Sequence, residues 1–180
     1  MKPKYTIIEA TEEHIPIIHE MGNVVFRHTY REMLSQDQID YMVEWMYSIS
    51  SLHKQFEVGH HYYIAMRDGV PSGYVSVQYE GETPEGKAQF HLHKIYVMPS
   101  EQGMGLGRIL FEQVLAFAKN IAADRPFTIE LNMNRDNPAL HFYQHMGLKI
   151  LRRGDFHIGN GYYMNDYILG YESENAKSCR

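Results

Sequence analysis

The chain has 180 residues and a net charge of -5, with 44% hydrophobic and 22% charged residues. That balance fits one soluble globular domain spanning residues 1–180 with a sizeable core. It argues against a nucleic-acid partner, which needs a basic surface. No apolar run is long enough for a signal peptide or a membrane span, the stretch after the basic start "MKPK" offering only Ile7 and Ile8. The single cysteine, Cys179, excludes an internal disulfide, so a cytoplasmic enzyme or binding protein is expected.

Taken in chain order, "KYTIIEA" (Lys4 to Ala10) reads as a first strand. Thr11 caps a helix whose first turn carries Glu12 and Glu13 and whose apolar stripe is Ile15, Ile18, Met21 and Val25. Ser35 opens a second helix with Ile39, Met42, Val43 and Met46 at i, i+3, i+4 and i+7, and a shorter helical piece follows from Ser51 to Glu57. "HHYYIAM" (His60 to Met66) is a strand, Asp68-Gly69 a hairpin signal, and "YVSVQY" (Tyr74 to Tyr79) the returning strand. "QFHLHKIYV" (Gln89 to Val97) is the next strand, followed by a helix from Gly105 to Ala122 and a strand from Phe127 to Met133. Asn137 with Pro138 opens a helix that Gly147 stops, and two strands near Leu148 to Ile158 and Tyr162 to Leu169 close the pattern. This order makes a layered α/β (α+β) domain.

Between strand and helix lies "QGMGLGR", Gln102 to Arg108, with glycines at 103, 105 and 107. Glycine permits unusual backbone dihedrals and lets a ligand approach, while the first amides of a helix point outward with a favourable dipole for anions. The turn is therefore a pyrophosphate cradle or a tight packing turn. It is not a P-loop, since no Gly-Lys-Ser/Thr follows, and not the dinucleotide fingerprint, since the spacing is G-x-G-x-G.

"IYVMPSEQGMGLGRIL" resembles the acetyl-CoA signature of the GCN5-related N-acetyltransferase (GNAT) family, with Gln102, Gly105 and Gly107 in its defining places. "LNMNRDNPALHFYQHMGLKI" is similar to the family's downstream pattern through Asn137, Ala139, Phe142, Tyr143 and Gly147. The resemblance implies a GNAT-like mixed, mostly antiparallel sheet of about seven strands flanked by about four helices. It implies acetyl-CoA as co-substrate. The backbone of Ile95, Tyr96 and Val97 would pair with the pantetheine arm, and amides of Gln102, Gly103, Met104, Gly105, Leu106, Gly107 and Arg108 would hold the pyrophosphate. Asn137 would lie along the pantetheine and the Tyr143 hydroxyl near the thioester sulfur, as an acid for the leaving thiolate. By position alone Tyr143, beside Phe142 on an apolar stripe, could equally be core.

Acetyl transfer to an amine needs a group that removes the amine's proton. His91 and His93 share parity on their strand, so both rings leave one face, and imidazole titrates near neutrality. Their "HLH" spacing resembles the proton-relaying pair of arylalkylamine N-acetyltransferases. The bland alternatives are packed histidines or two metal ligands, and no third ligand is evident, so no metal is expected. Cys179 at the tail makes a covalent acetyl-enzyme unattractive, which leaves direct attack in a ternary complex.

The acceptor side should come from the first helices and nearby strands, rich in Phe26, Tyr30, Tyr41, Trp45, Tyr47, Tyr62 and Tyr63. Phe26, Tyr30 and Glu80 are the chosen acceptor-binding residues, aromatic faces and a carboxylate both attracting cations. "RHTYREML", "QIDYMVEWMYS" and "DFHIGNGYYMNDYIL" resemble the bacterial spermine/spermidine acetyltransferase group, which implies a polyamine acceptor. The partner expected is thus a small-molecule amine, with no membrane. A homodimer through the final strands is compatible with the sequence. Two alternatives stay open: acetylation of a protein N-terminus or lysine, and a non-catalytic acyl-CoA sensor.

Overall fold

The structure, a computed structural model, describes residues 3–174; Cys179 lies outside them. The strands are β1 (Thr6–Glu9), β2 (His61–Arg67), β3 (Val70–Glu82), β4 (Ala88–Val97), β5 (Phe127–Asn134), β6 (Lys149–Gly159) and β7 (Tyr162–Glu172). The helices are α1 (Ile15–Tyr30), α2 (Gln36–Tyr47), α3 (Ile49–Glu57), α4 (Leu106–Ala122) and α5 (Leu140–His145), with short 3-10 turns at Glu12–His14 and Pro99–Glu101. The strands form a 7-stranded sheet in the order β1-β2-β3-β4-β5-β7-β6. β1–β2, β2–β3, β5–β7 and β6–β7 pair antiparallel, while β4 and β5 are parallel, Ala88 facing Phe127 and His91 facing Glu130. This is the mixed, mostly antiparallel α/β sheet expected from the sequence. The helix beyond the expected four is α3, the short piece read over Ser51 to Glu57.

Cap chemistry sets the helix starts. Ser35 Oγ accepts from the Gln38 amide at 3.2 Å and Ser48 Oγ from the Ser51 amide at 3.3 Å, each satisfying a first-turn donor. The Thr11 amide donates to His14 Nδ1 at 3.0 Å, closing a 3-10 turn that feeds α1. Asn137 differs from its sequence reading. Its Oδ1 accepts from the Ala139 amide at 2.9 Å, so a local side-chain turn occupies residues 137–139 and α5 starts only at Leu140.

The chain divides into two compact units, one formed by residues up to Val77 with Lys94–Gln113, the other by Gln78–His93 with Val114 onward. In the first, Ile15, Ile18, Met21, Val25 and Phe26 of α1 and Ile39, Met42 and Val43 of α2 are buried, as their helical spacing requires. Leu106 and Leu110 of α4 join Ile64 and Val75 in the same unit's buried set. Gly73 is needed there for close approach: a Cβ on it would sit 2.8 Å from the Tyr96 carbonyl oxygen and 3.2 Å from Leu106. In the second unit, Phe90 packs edge-on against Phe117 and Phe127, with ring centroids 5.9 and 6.0 Å apart. The β6 strand is the sheet's last, and its side chains are mostly exposed.

Candidate functional site

In the first unit, β4 ends at Val97, the 3-10 turn follows, and the glycine turn leads into α4. Gly103 and Gly105 have φ of +79° and +85°, values that side chains rarely adopt, and a Cβ on either would meet no atom within 4 Å. Gln102 to Gly105 are exposed. The amides of the first turn of α4 have no acceptor four residues back within the helix and lie at its positive end. Gly59, Gly69, Gly81, Gly86 and Gly161 are equally open, so what sets this turn apart is its place at the start of α4, where conformation, open space and helix donors together fit a diphosphate.

The same unit holds Ile95, Tyr96 and Val97, all half-buried, and the helix residues chosen for the acceptor. Phe26 is only 2% exposed and belongs to the core, its ring centroid 4.4 Å from that of Tyr30. Tyr30 reaches further: its hydroxyl is 3.4 Å from that of Tyr96, so a candidate acceptor residue and a candidate cofactor residue meet. Tyr47, Tyr62 and Tyr74 are fully buried. The cation against these rings belongs to the chain itself. Lys94 Nζ lies 4.6 Å from the Tyr47 ring centroid and 5.2 Å from that of Tyr62. It donates to Gln55 Oε1 and to the Tyr62 hydroxyl, both at 2.6 Å. Burial pushes the Lys94 ammonium down to a pKa of about 7. Sequence reasoning missed this lysine, although the alternation that exposes His91 and His93 puts Lys94 on the buried face with Phe90 and Leu92.

In the second unit, His91 and His93 leave the same face of β4, as their parity predicts, with ring centroids 4.5 Å apart. His91 Nδ1 is 3.8 Å from Glu80 Oε1, so a candidate proton acceptor and a candidate acceptor-binding carboxylate meet. Burial lowers the His91 pKa, against the opposing pull of Glu80 and Glu130. His93 Nε2 donates to Gln78 Oε1 at 2.9 Å; the neutral ring then carries its lone pair on Nδ1. Glu130, unforeseen, accepts both Nη1 and Nη2 of Arg152 at 3.2 and 3.0 Å. It also lines an open cleft of ≈ 550 Å³ with Lys87, Gln89, Lys149, Tyr171 and Glu172. Tyr143 is 9% exposed on α5, its ring edge-on to Phe142 at 5.3 Å, and Asn137 is half-buried in the turn before that helix. A second unforeseen group is Asp166, 1% exposed, which burial raises to a pKa of about 6 against the lowering effect of its bond from Asn132. Its signal in sequence is weak, since a lone aspartate in a strand reads as surface.

No helix among the described residues is long and apolar enough to cross a membrane. A family model described as the acetyltransferase (GNAT) family matches residues 25–148. N-alpha-acetyltransferase RimI of Mycobacterium tuberculosis is 29% identical over 102 residues, covering 56% of this chain; the chain spans 60% of that relative's length. The crystal structure of PaiA N-acetyltransferase from Thermoplasma acidophilum in complex with coenzyme A superposes with a TM-score of 0.75 at 17% identity, over 94% of this chain and 99% of that one. The ribosomal-protein-S18-alanine N-acetyltransferase of Escherichia coli gives 0.68 at 15% identity, over 98% and 99%. At such identities the likeness is one of fold.

Proposed function

Because this chain belongs to the acetyltransferase (GNAT) family, we propose that it is an acetyl-CoA-dependent N-acetyltransferase, one catalytic domain, acting on the primary amine of a small molecule by direct attack. The observation that carries the reading is the glycine turn, whose positive φ values and open outer side suit a diphosphate at the start of α4. Acetyl-CoA supplies the thioester carbonyl and the leaving thiolate. Amides of residues 102–108 hold its diphosphate, and the β4 backbone at Ile95, Tyr96 and Val97 takes the pantetheine as an added strand, an amide near Tyr96 or Val97 facing the developing oxyanion.

The amine nitrogen forms its bond to the carbonyl carbon as the carbon–sulfur bond breaks. Its proton passes to the His91–His93 pair. Burial lowers the His91 pKa, which favours the neutral ring that can accept that proton. The Glu80 carboxylate beside His91 draws the ammonium form toward the pair. Tyr143 gives its hydroxyl proton to the thiolate.

The finer likeness to spermine/spermidine acetyltransferases makes a polyamine the favoured small amine, and the acidic Glu80 suits a cationic acceptor. A second reading, transfer to a protein α-amine, is favoured by the 29% identity to a relative named for that activity. Purified protein with labelled acetyl-CoA and a panel of polyamines, arylalkylamines and N-terminal peptides decides. Acetylated polyamine supports the first reading, acetylated peptide the second, and CoA binding without acetylation of any member would leave only the sensor.

Two variants test the chemistry. Tyr143→Phe is expected to lower kcat by about 10²-fold with the KM for acetyl-CoA nearly unchanged; full turnover would make Tyr143 structural. For wild type, kcat/KM should fall as pH drops through a value below the ordinary imidazole pKa, the direction of the His91 shift. The His91→Ala, His93→Ala double variant should lose that acid limb. An unmoved pH profile would remove both rings from proton transfer.

A further inference from the structure

Glu101 sits directly before the exposed glycine turn, yet its side chain is only 7% exposed. A buried carboxylate needs partners, and one beside an anion-binding turn would also repel its ligand. Both of its oxygens are engaged. Arg67, the last residue of β2, places Nη2 2.8 Å from Oε1. Tyr5, just before β1, donates its hydroxyl to Oε2 at 2.8 Å. The same two side chains reach the sulfur of Met104, Tyr5 Oη at 3.9 Å and Arg67 Nη1 at 3.8 Å. Upstream, the Glu101 amide donates to the Met98 carbonyl at 2.8 Å and the Met98 amide to the Ser72 carbonyl at 2.9 Å. Gln102 and Gly103 are thus strung between two residues, 101 and 104, that the ends of β1 and β2 hold.

We infer that Arg67 and Glu101, with Tyr5, are positioning residues for the cofactor's diphosphate. The inference rests on the reading that the glycine turn binds it. The charge-assisted pair is the stronger part, the contacts to sulfur the weaker. Arg67 does two things at once. It cancels the Glu101 charge next to the anion site, and it fixes the turn before the ligand arrives, so that binding does not have to order it.

Calorimetric titration of the full chain with coenzyme A separates this from a merely structural role, because stoichiometry reports the folded fraction and Kd does not depend on it. Arg67→Gln is expected to raise Kd about tenfold at unchanged stoichiometry, with Arg67→Lys recovering part of the loss; Glu101→Gln, which loosens the turn but also removes the carboxylate's repulsion, should raise Kd by roughly threefold. Tyr5→Phe, a milder change that keeps the ring, should raise Kd by roughly threefold. An unchanged Kd in the folded fraction, whatever the melting temperature does, would overturn the inference. Gly105→Val in the same titration tells the two levels apart. If it leaves Kd intact, the turn is not the diphosphate site and the underlying reading falls. If it weakens binding while the Arg67, Glu101 and Tyr5 variants do not, only the positioning role falls.

Discussion

Gly105→Val is expected to weaken acetyl-CoA binding by roughly 10²-fold or more. Two physical effects add. The native φ of +85° lies where side chains rarely go, so valine must shift the backbone that aims the first amides of α4. Its branched side chain would also project into space that is open in the native turn, where a diphosphate must come close. The fold itself should survive, since a Cβ there meets no protein atom within 4 Å and the strain is confined to one exposed turn. Calorimetry with coenzyme A, alongside circular dichroism, checks the result; Gly105→Ala should fall between the two. Native-like affinity in a folded Gly105→Val protein would place the cofactor elsewhere.

Lys94→Met should stabilise the protein near pH 7 and flatten its stability profile above it. The folded-state pKa of about 7 lies well below the ordinary lysine value of 10.5. Between those values the unfolded chain holds a proton that the folded chain has released, so wild-type stability rises with pH across that window. Well below pH 7 both states are protonated, and the full cost of a buried ammonium, on the order of 5 kcal/mol, is felt. The faces of Tyr47 and Tyr62 and the Gln55 oxygen soften that cost without supplying a counter-charge. Methionine fills a similar volume, and the Tyr62 hydroxyl keeps its bond to Gln55 Oε1 at 2.6 Å. Urea denaturation from pH 6 to pH 10 should show the variant ahead of wild type at the acid end, with the gap closing toward pH 10. A gap that stays constant with pH would mean that Lys94 does not titrate in the fold.

What the sequence disclosed was local chemistry. Strand alternation placed His91 and His93 together, and glycines in series marked a turn whose dihedrals L side chains avoid. What it concealed depended on distant partners. The sequence pattern starts the returning strand at Tyr74, but β3 runs from Val70, with Gly73 inside it where a Cβ would lie 2.8 Å from the distant Tyr96 carbonyl. The aromatic residues of the first helices were candidates for the acceptor, and most became core. Nothing near Lys94 in the chain reveals that Gln55 and Tyr62 will receive it. Likewise, in the sequence Glu80 offers only its charge, and the folded sheet sets it beside His91.

The long final strand β6 has a consequence for solubility. A free sheet border invites a strand from another molecule, and a flat, apolar one would template it. Here the pairing with β7 slips twice, between Ile150 and Arg152 and again between His157 and Gly159, which breaks the even comb of backbone groups. Lys149 and Arg153 add like charges that two copies lying side by side would have to bring together. Ile150, Leu151 and Phe156 can therefore stay exposed on this border without turning it into a seed for fibres. Exchanging those cations for β-branched residues would remove the guard.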